Sequence, residues 1–69
     1  MADIEHLPAL STPAQLAEVM QTTTSALAQD RYLGRGIPYV KFGKRIRYLR
    51  EDVLSYLAAN RVSQTGRPA

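Results

Sequence analysis

Nine lysines and arginines are the side chains in this sequence with the clearest capacity for chemistry, and their placement is uneven. Residues 1–30 carry four acids (Asp3, Glu5, Glu18, Asp30) and no Lys or Arg, a net charge of −4. Residues 31–69 carry all nine bases against Glu51 and Asp52, a net charge of +7, and seven of the nine fall between Arg31 and Arg50 with no acid among them. Cations at that density attract phosphate; on an ordinary basic domain the same charges would simply be solvated. Catalytic groups are scarce. There is no cysteine, the single histidine is His6, and the only adjacent carboxylates, Glu51 and Asp52, stand where a helix start explains them. No Gly-rich phosphate cradle precedes a helix, and no His or Cys cluster has metal-ligand spacing. The expectation is a binding module with no catalytic function, no metal and no cofactor.

The elements that position these charges must come from one small domain. A chain of 69 residues buries only about 60% of its unfolded surface, and here neither disulfides nor zinc supplement the core. No apolar stretch approaches the ~20 residues needed to cross a bilayer, and the acidic N-terminus lacks the basic start of a secretory signal. The expected setting is a soluble intracellular one, with no membrane partner. Residues 1–10 have no usable period and contain Pro8, so they read as a loose arm. At Thr12-Pro13-Ala14-Gln15 a helix begins, with Thr12 as N-cap, Pro13 at the first helical position and Gln15 completing a capping box. Leu16, Val19 and Met20 give it one apolar stripe, and it ends near Met20. After a polar interruption at Gln21 and Thr22, Thr23 caps a second helix running to about Tyr32. Ala26 and Leu27 point inward on it, while Thr24, Ser25, Ala28 and Gln29 present small or polar groups outward.

Gly34-Arg35-Gly36-Ile37-Pro38 is a loop by its helix breakers. Two short alternating runs follow, Tyr39 to Phe42 and Arg45 to Tyr48, separated by Gly43-Lys44, the pattern of a II′ hairpin. Period-2 alternation places Val40, Phe42, Ile46 and Tyr48 on a core face and Lys41, Arg45 and Arg47 on a cationic face, with Lys44 at the tip. Phe42 is then a buried anchor of the hairpin. A last helix starts around Arg50, with Glu51 and Asp52 in its first turn, Val53, Leu54 and Leu57 buried and Tyr56 at the edge. Residues 62–69 read as a disordered tail. The fold class is mainly α with a small β-hairpin, and residues 11–61 form the domain.

Read in order, the Thr12-Pro13 start with Leu16-Ala17, the short second helix, Tyr32-Leu33-Gly34-Arg35-Gly36-Ile37-Pro38, the run Val40 to Tyr48, and Arg50-Glu51-Asp52-Val53 resemble the excisionase family. These recombination directionality factors are winged helix-turn-helix proteins related to the DNA-binding domain of MerR-type regulators. The resemblance covers about residues 10–60, and its most specific part is the wing with the Arg-Glu-Asp that follows. It implies the order helix, helix, two-stranded wing, helix. It further implies a phage or mobile-element protein that binds double-stranded DNA near an attachment site, bends it and directs a site-specific integrase toward excision. The second helix would enter the major groove, with Ser25 and Gln29 facing base edges and Thr23 and Thr24 holding phosphate. Arg35, Lys41, Lys44, Arg45 and Arg47 would contact the DNA backbone, Lys44 and Arg45 reaching deepest. Asp30 repels phosphate unless it pairs with Arg31 or another base, which shifts the expected affinity toward the wing and specificity toward DNA shape.

One short helix and one wing cover little DNA, so copies are expected to bind cooperatively, head to tail on direct repeats. The alternative within the same fold is a minimal MerR-like regulator acting at a promoter. A further one is an adaptor whose basic wing meets an acidic protein.

Overall fold

The computed structural model describes residues 6–62. Three helices and three strands follow in the order β1 (Leu10–Ser11), α1 (Pro13–Met20), α2 (Thr24–Tyr32), β2 (Val40–Phe42), β3 (Arg45–Leu49) and α3 (Arg50–Ala59). The helix starts follow the local chemistry. Thr12 Oγ1 accepts from the Gln15 amide at 3.1 Å while Gln15 Oε1 accepts from the Thr12 amide at 2.9 Å, closing the capping box with Pro13 at the first helical position. Thr23 Oγ1 accepts from the Ala26 amide at 3.0 Å and caps α2. Glu51 and Asp52 lie in the first turn of α3, at the positive end of its dipole.

Both α1 and α2 close on a left-handed residue. After α2 this is Gly34 (φ +70°), with Gly34 N–H donating to the Arg31 carbonyl and Arg35 N–H to that of Asp30, the paired bonds of a Schellman motif. After α1 it is Gln21 (φ +57°), with Gln21 N–H donating to Glu18 O and Thr22 N–H to Ala17 O. The connection from α1 to α2 is thereby held to three residues, Gln21–Thr23.

The sheet is antiparallel in the order β1-β3-β2. Its central strand carries Tyr48 into the middle of the core, where Leu7, Leu16, Ala17, Leu27, Ile37 and Val53 are also buried. Val19, Met20, Ile46 and Tyr56 pack against that cluster. β1 departs from the expectation of a loose arm. From residue 6 onward that segment is packed: Leu7 is buried, Leu10 pairs with Leu49, and Arg50 donates to Ala9 O through its amide (2.9 Å) and to Leu7 O through Nη1 (3.1 Å). Buried Ser11 donates from Oγ to Tyr48 O at 3.2 Å. Residues 1–5, the rest of that arm, and 63–69, nearly all of the expected tail, lie outside the described residues.

The hairpin forms where expected, with positive φ at Gly43 and not at Lys44, as a II′ turn requires. Its faces differ from the expectation. Val40 pairs with Arg47, Lys41 with Ile46 and Phe42 with Arg45. Residues directly opposite each other in a ladder share a face. Phe42 and Val40 therefore stand with Arg45 and Arg47, and Lys41 stands with Ile46 and Tyr48. Alternation holds along each strand, but a two-residue turn joins Phe42 to Arg45 rather than to Ile46, so the charges are not sorted onto one side. Phe42 is 44% exposed and no core anchor. In α3, Leu54 and Leu57 are also exposed, leaving Val53 as its buried residue, and Ala26 on α2 is exposed.

Candidate nucleic-acid interface

α2 is fastened by one buried apolar residue, Leu27, and by an arginine one turn later. Arg31 Nη1 donates to Tyr48 Oη at 2.6 Å, and its guanidinium lies 5.8 Å from the Tyr39 ring centroid and 6.0 Å from that of Tyr48. The two tyrosine rings are 6.4 Å apart and tilted by 60°. A cation held by a phenolic oxygen and two aromatic rings couples α2 to the hairpin without a carboxylate. Helical spacing then turns Ser25, Ala28, Gln29 and Tyr32 to the outer side, and Ser25, Ala28 and Gln29 are exposed there, with the Tyr32 ring 85% exposed. Thr24 is exposed at the helix start. Thr23 is exposed as well, but its oxygen is committed to the Ala26 amide, leaving the hydroxyl proton for an outside acceptor.

The outer end of α2 and the hairpin wall one open groove, lined by Ala28, Arg31 and Tyr32 on one side and by Tyr39, Lys41, Lys44 and Ile46 on the other. The register explains this: Lys41 and Ile46 share the face that turns toward α2. Arg45 and Arg47 stand on the opposite face with Val40 and Phe42. There Arg47 donates from Nη1 to Ile46 O at 2.7 Å and lies 6.0 Å from the Phe42 ring centroid. The nine residues expected to bind are thus distributed as a helix surface, two lysines facing it across a groove, two arginines behind, and Arg35 after α2. The Arg35 Nε donates to Asp30 Oδ1 at 3.1 Å. That bond supplies the base that Asp30 needs, and the Arg35 side chain is still 67% exposed. Among the described residues no carboxylate pairs with Lys41, Lys44 or Arg45. Their counterions are mobile ones that a polyanion can displace.

Gly36 closes the loop under this site. Its φ is +89°, and a Cβ there would stand 3.0 Å from Asp30 Cβ, so the close approach of loop to helix requires glycine. Sequence reasoning missed Arg31, Tyr32 and Tyr39. Arg31 is four residues after Leu27 and so on the inner side of α2, which is itself a sign of a buried partner; Tyr32 is seven after Ser25 and so on the outer side. Among the described residues, no three His, Cys, Asp or Glu side chains group to hold a metal ion, and no helix is long and apolar enough to cross a membrane. Compared with protein-family models, with curated proteins and with solved structures, the chain matches none.

Proposed function

We propose that this chain is a winged helix-turn-helix module that binds double-stranded DNA. In this reading α2 enters the major groove, with Ser25 and Gln29 at base edges and Thr23 and Thr24 at phosphate, while the hairpin is the wing. The observation that carries it is the groove shared by the bare outer face of α2 and by Lys41 and Lys44 of the hairpin, which have no carboxylate partner among the described residues. An uncovered polar helix beside uncompensated cations fits a phosphate backbone flanking readable base edges. Arg35, Arg45 and Arg47 extend the cationic surface to either side.

The role we assign, from the resemblance to excisionases, is that of an accessory protein that bends DNA at an attachment site and directs an integrase toward excision. Each module buries on the order of 600–1,000 Å² on DNA, so neighbouring copies are expected to assemble cooperatively on direct repeats. The test combines gel-shift titration on the element's attachment region with an excision assay using its integrase. Retarded, bent complexes and excision that depends on this chain are expected. Binding confined to a promoter, with no effect on excision, would replace this role with that of a minimal MerR-like regulator. Absence of DNA binding would favour an acidic protein partner.

A further inference from the structure

We infer that Phe42 is a wedge that enters the DNA minor groove and stacks into an opened base step, an assignment that rests on the DNA-binding reading above. The packing of the core does not require this ring. Phe42 is 44% exposed on β2, an edge strand of the sheet, and it immediately precedes the Gly43-Lys44 turn at the end of the hairpin. Val40, on the same face, is 36% exposed. Directly across the ladder stands Arg45. Arg47, tethered to the Ile46 carbonyl, lays its guanidinium over the ring at 6.0 Å from the centroid. Lys44 is at the tip, and no acidic residue occurs between Arg31 and Arg50.

The occupant of such a surface must be anionic around its rim and offer a flat apolar centre. Duplex DNA provides both, phosphates on either side of the groove and base faces wherever a step unstacks. Proteins that bend DNA insert apolar side chains between base steps from the minor groove, and pyrimidine–purine steps open most readily. With α2 in the major groove, the hairpin end reaches the adjoining minor groove. Arg45 and Arg47 then take the flanking phosphates while the ring enters the stack.

The test uses the full chain and a duplex containing its binding site, with 2-aminopurine at a TA step beneath the wing and a donor–acceptor dye pair at the ends. The wild type should raise the 2-aminopurine fluorescence and shorten the end-to-end distance. Phe42→Ala, which keeps the fold, should still bind but lose both signals, with affinity reduced roughly 5- to 150-fold, the range one base–aromatic stack is worth. Phe42→Trp should restore them. Equal fluorescence and bending in wild type and Phe42→Ala would overturn the wedge while leaving DNA binding intact. A wild-type chain that binds no duplex would overturn the DNA-binding reading and the wedge with it. Phe42-dependent binding of an acidic peptide in place of duplex would overturn both in the same way and identify the other occupant.

Discussion

Arg31 Nη1 donates to Tyr48 Oη at 2.6 Å, joining the last turn of α2 to the central strand of the sheet. With Leu27 the only buried residue of α2, this bond has more to hold than an ordinary surface interaction. Tyr48→Phe keeps the packing and removes the acceptor, leaving a half-buried guanidinium with only ring faces for company. A cost of about 1 kcal/mol is expected, seen as a lower midpoint in urea. On the proposed DNA-binding reading, affinity for duplex should fall further than stability does, because α2 loses its set relative to the hairpin. Unchanged stability and binding would show that the Tyr39 and Tyr48 rings suffice.

The hairpin register makes opposite predictions for two aromatic residues close in sequence. Phe42→Ala should cost under about 1 kcal/mol, since its ring is largely in solvent, whereas Tyr48→Ala, from a position 1% exposed, should cost about 3–5 kcal/mol. The latter rivals the whole stability of so small a domain. Thermal melts followed by circular dichroism discriminate, and a large effect at Phe42 would contradict its pairing with Arg45.

Leu7 tests the N-terminal segment. It is 2% exposed within the core cluster, so Leu7→Ala is expected to cost about 2–4 kcal/mol. Removing residues 1–11 should destabilise at least as much, because the β1 pairing with β3 and the two Arg50 bonds go with it. A truncated chain with an unaltered melting temperature would mean that the segment is dispensable.

Two of the positive-φ positions, Gln21 and Gly36, predict opposite signs. Gln21 at φ +57° bears a side chain in a conformation that favours glycine, so Gln21→Gly should stabilise by about 0.5–1 kcal/mol. Gly36→Ala combines φ +89° with a close approach to Asp30, and a destabilisation of about 1–2 kcal/mol is expected. Chemical denaturation of both variants checks the pair.

On the proposed DNA-binding reading, salt dependence measures the hairpin's share of the binding. Each phosphate that a variant no longer neutralises should make the slope of log K against log salt shallower by about 0.9. The groove pair Lys41→Ala and Lys44→Ala should change it, and so should the opposite pair Arg45→Ala and Arg47→Ala. An unaltered slope in either double variant would remove that face of the hairpin from the interface.

Local chemistry was enough to place the helices and the turn. Thr12-Pro13-Ala14-Gln15 starts α1, Thr23 caps α2, Gly43-Lys44 turns the hairpin and Glu51-Asp52 opens α3, because caps, dipoles and tight turns depend on residues within a few positions of one another. The concentration of cations after residue 30 was equally plain. What the chain alone did not determine was which sides of these elements meet. Alternation along β2 and β3 says which residues share a side within a strand, and the two-residue Gly43-Lys44 turn already sets Phe42 opposite Arg45, but only the packing of the hairpin decides that the side with Lys41 and Ile46 is the one turned toward α2. The burial of Leu7 depends on β1 finding β3, where Ser11 meets Tyr48 across 37 positions of sequence, a pairing with no local signal. Leu54 and Leu57 have the spacing of core residues, yet the small sheet and two short helices leave only Val53 of α3 fully buried, with Tyr56 partly covered. Arg31 acquires its role only when Tyr39, eight positions on, and Tyr48, 17 positions on, close around it. Which faces meet is decided by how one small core fills rather than by the preferences of any segment.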